Sequence, residues 1–450
     1  MNAPLPDDEP APQGKPRSAK QALLRVMRMV TPHTTALVAL AVRAGAVVAG
    51  FAVTFIIGNQ MGAAANGQFA LVSQTAMFLS VLGLIGLEVG VVRHFAKAVA
   101  LKTPVALAGL LKVSGLGIGF MLVIAVALWL GGEWVWEPLF GTAVSRSLLP
   151  VLCVLLVARG GTQLFGGLLR SQHRFTLGQA IAALTIPAAT AAALLAGLAA
   201  TVEQALWAAA AGGVISMIVG AAAMRRHVAR TPDALTVELR PLVASSLPLW
   251  GVGIANNIGD WYGLAVAAQM LGAADAGIYR VAAQIAATLQ IISIAIFSVY
   301  SAKISTAFHA DNLAEVARLA RTSVRLSTVT AVPAAALLMI ASPFVLDQIG
   351  AEFAEAFSLI AILVIGQLAF TLTGPCGLVL AMSGNERINL AITVSGTVAL
   401  LFAVPAAAKF GGLPGIAVCI SVIMLLRNII AYGVVRSKLG IGIWSGAVRA

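Results

Sequence analysis

The stretch MRRHVARTPDALTVELRP, from Met224 to Pro241, is a polar and charged interval in a chain of 450 residues that is otherwise strongly apolar. It divides the chain into two hydrophobic halves. Four of its residues, Arg225, Arg226, Arg230 and Arg240, are basic. Cytoplasmic loops of membrane proteins collect Lys and Arg in this way, so the interval reads as a cytoplasmic connector between two membrane bundles.

The halves resemble one another. MGAAANGQF (Met61 to Phe69) recurs as LGAADAGIY (Leu271 to Tyr279), which aligns Gly62 with Gly272, Gly67 with Gly277 and Phe69 with Tyr279 at an offset of 210 residues. The same offset carries Arg93 onto Lys303, and one of 213 carries Arg174 onto Arg387. Tandem repeated halves with the substrate bound between them are a recurrent plan of secondary transporters.

Composition agrees with a membrane protein. The chain is 60% hydrophobic and 10% charged, with a mean hydropathy of +0.95, where a soluble domain carries about 25% charged residues. The net charge of +12 is spread over many short intervals with few interleaved aromatics, which fits the positive-inside rule and not nucleic-acid binding. Cys153, Cys376 and Cys419 all fall in apolar stretches, as small buried hydrophobes do. The five histidines show no metal-ligand spacing, and no cofactor is expected.

Twelve segments long enough to cross a bilayer as helices fall near 34–57, 68–92, 107–130, 147–169, 175–197, 203–223, 243–265, 276–300, 323–346, 356–380, 388–409 and 413–435. The expected fold is an all-α polytopic membrane protein, with about twelve transmembrane helices in two pseudo-symmetric six-helix lobes around a central cavity. Its expected parts are a disordered and interfacial cytoplasmic N-terminus (1–33), an N-lobe (34–223), the connector (224–242), a C-lobe (243–436) and a cytoplasmic tail (437–450). Most of the 29 basic residues, Arg427 among them, are assigned to one set of loops, while Glu133, Glu137, Glu203, Asp275, Asp347, Glu352 and Glu355 fall on the other. Both termini are therefore expected in the cytoplasm. Asp311 to Arg325 has apolar residues at helical spacing and reads as an amphipathic helix on the cytoplasmic surface.

Ionisable residues inside the spans direct attention to function, because each costs about 2.5–3.5 kcal/mol to insert and so faces a cavity or a partner. They are Arg43 in span one, Glu88 late in span two, Arg159 in span four, Asp260 in span seven and Arg280 just inside span eight. Arg43 and Arg159 are both expected near the midplane, where two guanidinium groups suit a phosphate or pyrophosphate. Each can instead neutralise Asp260 or Glu88. Asn256 and Asp260 lie one turn apart on one face, with Asn257, Trp261 and Tyr262 beside them. The amides suit sugar hydroxyls and the aromatic rings suit stacking. Asp260 is the first candidate for coupling to protons or sodium, with a salt bridge as the alternative. Glu88 is a second coupling candidate, although pairing with Arg93 or His94 accounts for it more simply.

Three stretches resemble a known family: IIGNQMGAAANGQFALVSQTAMFLSVLGLIGLEVGVVRHFA (Ile56 to Ala96), its echo MLGAADAGIYRVAAQIAATLQII (Met270 to Ile292), and GNERINLAITVSGTVALLFAVPAAAKFGGLPGIAVCISV (Gly384 to Val422). They are similar to the multidrug/oligosaccharidyl-lipid/polysaccharide (MOP) flippase superfamily, in its polysaccharide biosynthesis branch. The resemblance implies two six-helix lobes around a V-shaped cavity that opens alternately to either side. It implies transfer of an undecaprenyl-pyrophosphate-linked oligosaccharide between leaflets of the bacterial inner membrane for O-antigen, capsule or exopolysaccharide synthesis. Arg43 and Arg159 would hold the pyrophosphate by location. Lipid-linked oligosaccharide and membrane lipids are the implied partners, with a polysaccharide polymerase and glycosyltransferases as further ones. A proton- or sodium-coupled multidrug or small-solute antiporter of the same superfamily is the alternative. A membrane polymerase or ligase is a weaker one, because no outer loop carries a grouping of nucleophile, base and acid.

Overall fold

The computed structural model describes residues 19–100, 107–131, 133–141, 144–172, 174–227, 238–445 and 447–448. The first 18 residues of the expected disordered tail and the middle of the connector lie outside this range, as do the side chains of Arg93 and His94.

The chain is almost wholly helical. The first half comprises α1 (Ala19–Leu84), α2 (Leu87–Ala100), α3 (Leu107–Gly131), the short α4 (Glu133–Phe140), α5 (Leu149–Ser171), α6 (Phe175–Gln179), α7 (Thr185–Leu195) and α8 (Val202–His227). The second comprises α9 (Leu239–Met270), α10 (Ala273–His309), α11 (Leu313–Ile349), α12 (Ala356–Thr373), α13 (Cys376–Met382) and α14 (Glu386–Leu439). Among the described residues, eight stretches are long and apolar enough to cross a membrane. Two of them are pairs of helices joined at a glycine, α1 at Gly62 and α14 at Gly412. With α9 and α10, of 32 and 37 residues, this makes the twelve crossings expected, six in each lobe.

The repeat is visible in the backbone. Gly62 ends the first crossing with φ 84° and ψ 179°, and Gly272 ends the seventh with φ 117° and ψ 173°. A side chain is disfavoured at both positive φ values, so the recurring glycine makes the same turn in both lobes. One face of the protein carries these turns together with Glu352 and Glu355, and is called the acidic face here. The opposite, basic face carries Arg318, Arg387 and Arg436.

In a bilayer, helices associate by close packing and interhelical hydrogen bonds, because lipid tails are as apolar as leucine. At the acidic face one core is shared by both lobes: Leu71, Phe140 and Leu152 pack in the same cluster as Ile278, Phe353 and Leu413. Toward the basic face the cores divide. Leu84, Val91, Met121 and Leu168 form one, with Leu242 from the start of α9. Ile304, Val316, Val379 and Val435 form the other. The lobes thus share one core at the acidic end, while toward the basic end the cores divide. There α9 keeps the lobes in contact by packing on α2, where a Cβ on Gly86 would stand 2.6 Å from the Ser246 carbonyl oxygen.

Among the described residues, three side-chain hydrogen bonds cross between the lobes lower down, one of them donated by Trp250 Nε1 to the Val81 carbonyl at 3.0 Å. Thr54 Oγ1 donates to Gln284 Oε1 at 2.8 Å, and Trp261 Nε1 donates to Thr75 Oγ1 at 2.9 Å.

The expected amphipathic surface helix is replaced by a simpler arrangement. Leu313–Ile349 is one continuous helix of 37 residues, about 55 Å long. Its early apolar residues Val316, Ala317, Leu319 and Ala320 are buried in the basic-end core of the C-lobe, where protein side chains cover them instead of lipid. The C-terminal tail contributes to that cover. A short antiparallel hairpin, β1 (Ile441–Gly442) with β2 (Ala447–Val448), buries Ile441 and Ile443 there, and Trp444 Nε1 donates to the Leu372 carbonyl at 2.8 Å.

Candidate functional site

Two cavities lie between and within the lobes, and the polar residues of the spans line them. The smaller, about 140 Å³, is bounded by α1, α5, α7, α8 and α10. Arg159 reaches it from α5 because glycines occupy the neighbouring positions. Met121 of α3 lies where a Cβ on Gly160 would be, and Met217 of α8 where one on Gly161 would be. These close approaches draw α5 against two helices, and its arginine turns toward α1. On the far wall a π-helical turn, Ala180–Leu184, precedes Ile186 and Pro187, which line the cavity. Such turns free backbone carbonyls, and Gln163 Nε2 donates to that of Ala182 at 3.1 Å.

Arg280 of α10 lines the same cavity from the other lobe, together with Thr54, Ser73 and Gln74 of α1. The two guanidinium groups are close enough to repel one another. Arg159 Nη2 donates to Ser73 Oγ at a long 3.4 Å, and its buried Nε has no partner. Neither arginine has a carboxylate within 4.0 Å among the described residues. Asp260 attracts Arg280 from further off. Two half-buried, like-charged groups with no carboxylate within 4.0 Å among the described residues are costly, and an anion placed between them satisfies both.

The larger cavity, about 650 Å³, lies in the C-lobe and runs from Asp260 at mid-depth toward the basic face at Ser301, Gly374 and Ala431. Asp260 and Asn256, one turn apart on α9, both open into it. Asp260 makes no ion pair within 4.0 Å among the described residues. Asn257 lies off this wall and donates to the Gly253 carbonyl of its own helix at 2.9 Å.

The aromatic residues beside them do not line either cavity. Trp261 stacks on Phe78 at 4.7 Å and 7° and holds the lobes together, while Tyr262 Oη donates to the Leu401 carbonyl at 2.9 Å. Both rings are committed to helix packing, which corrects the expectation that they stack on sugars.

Arg43 also differs from expectation. The first crossing continues to Gly62, which places Arg43 about 28 Å along the helix from the acidic-face turn, near the basic end of a core about 30 Å thick. It is exposed and lines neither cavity. It does share a helix face with Gly50 and Thr54, the face turned toward Gln284 of α10, two to three turns nearer the basic end. Glu88 lies beside Arg170 of α5, which attracts it, away from both cavities; its Oε2 is buried without a partner.

Arg427 lines the larger cavity although its sequence position suggests a loop. The signal was its setting, IMLLRNIIAYGVV, with an apolar run on either side.

The family model described as polysaccharide biosynthesis protein matches residues 35–301, more than half of the chain. The chain belongs to the polysaccharide biosynthesis protein family. No curated protein matches it. Solved structures of the MOP superfamily share the fold of this family member. An inward-facing multidrug resistance MATE family transporter superposes with a TM-score of 0.65 at 14% identity, over 89% of this chain and 95% of that one. The lipid II flippase MurJ in an inward closed conformation gives 0.65 at 10% identity, over 89% and 88%. A MATE transporter from Vibrio cholerae gives 0.57 at 14% identity, over 91% and 100%. This polysaccharide biosynthesis protein is thus a multi-pass membrane protein with the two-lobe MOP fold, similar in structure to transporters and a flippase.

Proposed function

We propose that this protein is a flippase that moves undecaprenyl-pyrophosphate-linked oligosaccharide across the bacterial inner membrane, from the cytoplasmic to the periplasmic leaflet. The observation that carries this reading is the pair Arg159 and Arg280, one from each lobe, facing one cavity with no carboxylate within 4.0 Å among the described residues. Guanidinium groups grip phosphate oxygens with paired, charge-assisted hydrogen bonds. A pyrophosphate bound by both arginines ties the lobes together, so its arrival and release bias the equilibrium between states open to either side.

In this reading the basic face is cytoplasmic, both termini lie there, and residues 34–223 and 243–436 are the two rocking lobes joined by the connector. Arg43 stands at the cytoplasmic entrance and guides the anionic head inward. Asn256 and Asp260 face the sugars or, for Asp260, a coupling cation in the C-lobe. The protein performs no bond chemistry and needs no cofactor. It hands its cargo to a polymerase, and glycosyltransferases supply it.

Deletion of the gene tests this. Loss of surface polysaccharide, with undecaprenyl-linked repeat units stranded on the cytoplasmic leaflet, is the expected result. Unchanged polysaccharide with altered sensitivity to cationic dyes overturns it in favour of an antiporter built around Asp260.

A further inference from the structure

The larger cavity contains a cation that the pyrophosphate grip does not use. Arg427 lies on α14, about 22 Å from the acidic-face turn at Gly412, inside the membrane. Its stem lies across Gly396, where an added Cβ would come 2.2 Å from Cδ and 2.5 Å from Cγ. The missing side chain at 396 makes the trough in which Arg427 rests. The guanidinium is partly buried and, among the described residues, has neither a hydrogen bond nor an ion pair. Among the described residues Asp260 is the one carboxylate lining this cavity, and it is not within 4.0 Å of Arg427.

Two amides lining the same cavity also lack side-chain hydrogen bonds among the described residues. Asn389 lies two turns before Gly396 on the same face of α14, and Asn256 faces it from α9. By contrast, Asn428, the neighbour of Arg427, is committed to the carbonyls of Phe370 and Gly374 at 3.0 and 3.2 Å, where α12 gives way to α13. Among the described residues the cavity therefore presents one unpaired guanidinium and two free amides, apart from the Arg159 and Arg280 pair.

We propose that the oligosaccharide carried by this protein contains an acidic sugar, of the hexuronic acid class, whose carboxylate is bound by Arg427. Asn389 and Asn256 take the neighbouring hydroxyls. The inference rests on the flippase reading and specifies its cargo. A neutral glycan leaves the partly buried guanidinium without a counter-charge, whereas a carboxylate matches its planar fork with two parallel hydrogen bonds.

The test measures binding to the full-length protein purified in detergent. Three probes are used: a short-chain prenyl pyrophosphate, the same lipid bearing a trisaccharide with one glucuronic acid, and that trisaccharide lipid with the carboxyl reduced to an alcohol. The wild type is expected to bind the acidic probe about tenfold tighter than the reduced one. Arg427→Gln loses that preference while binding prenyl pyrophosphate as before. Gly396→Val does the same with the arginine still present, because it displaces the stem. Arg427→Lys, which keeps the charge and loses the fork, retains part of the preference.

Equal binding of the acidic and reduced probes by the wild type overturns the inference and leaves the flippase reading intact. Weakened binding of prenyl pyrophosphate by Arg427→Gln also overturns it, by showing that the carrier phosphate occupies this site. Failure of the wild type to bind prenyl pyrophosphate at all removes the flippase reading itself, and the inference with it.

Discussion

Gly67 and Gly277 cross at backbone contact, each packed against the opposite lobe at the acidic face. A Cβ on Gly67 would stand 1.9 Å from the Ala273 carbonyl oxygen, and one on Gly277 would stand 2.0 Å from that of Ala63. The two contacts are related by the same 210-residue offset as the sequence repeat, so this crossing marks the pseudo-two-fold axis between the lobes. Only the absence of side chains lets the helices meet there.

Any side chain at the crossing is expected to force the acidic face apart. Overpacking of this kind costs about 1–3 kcal/mol, enough to shift a two-state equilibrium by about fivefold to a hundredfold. Gly67→Ala and Gly277→Ala are predicted to reach normal membrane levels and to transport poorly. Cysteine labelling at Ala70, buried in the core shared by the lobes, in a background lacking Cys153, Cys376 and Cys419 measures this, with faster reaction expected in both variants.

A second latch lies beside the crossing. Glu352 Oε2 accepts the Ala63 backbone N–H at 2.9 Å, just past the Gly62 turn, and Asn59 Nδ2 donates to the Gln348 carbonyl at 2.9 Å. The carboxylate thereby fills the role of a cap on the restarted helix from across the lobe interface. Hydrogen bonds to charged groups contribute about 1.5–3 kcal/mol. Glu352→Ala is predicted to favour the state open at the acidic face, with Glu352→Gln intermediate, in the same labelling assay.

Much of this architecture is legible in the sequence, and for a physical reason. Twelve apolar runs and a paired glycine turn follow from bilayer thickness and backbone sterics, which act locally. The direction in which a membrane helix faces is another matter. Spans apolar on all sides carry no periodic signal to separate lipid from partner helix. Trp261 therefore reads as a ligand platform, although it stacks on Phe78 in the other lobe. Arg280 reads only as a charge just inside its span, and nothing in the sequence sets it in one cavity with Arg159. Arg43 is displaced from mid-depth because the first crossing runs on to Gly62, where the glycine and not the end of the apolar run stops it.

Removing one arginine of the facing pair should weaken transport more than a packing change would. Truncating one partner of a buried charged contact costs about 2–5 kcal/mol. Arg159→Ala and Arg280→Ala are each predicted to reduce transport by about a hundredfold, and the double variant by little more than either alone, as for residues acting as a unit. Lysine at either position is expected to keep part of the activity. Complementation of a deletion strain, with protein levels measured in parallel, checks this.

Asp260→Asn separates cargo binding from coupling. The amide keeps the shape and loses the charge that faces the larger cavity. Binding of prenyl pyrophosphate is predicted to remain unchanged, while any dependence of transport on a proton or sodium gradient disappears. Transport assays in vesicles with and without each gradient measure it.

The most direct measurement reconstitutes the purified protein in liposomes with a fluorescent undecaprenyl-pyrophosphate-linked oligosaccharide and follows its appearance in the opposite leaflet. Movement by the wild type, abolished in an equally reconstituted Arg159→Ala, Arg280→Ala double variant, is the predicted result. No movement by the wild type, or full movement by the double variant, contradicts the account.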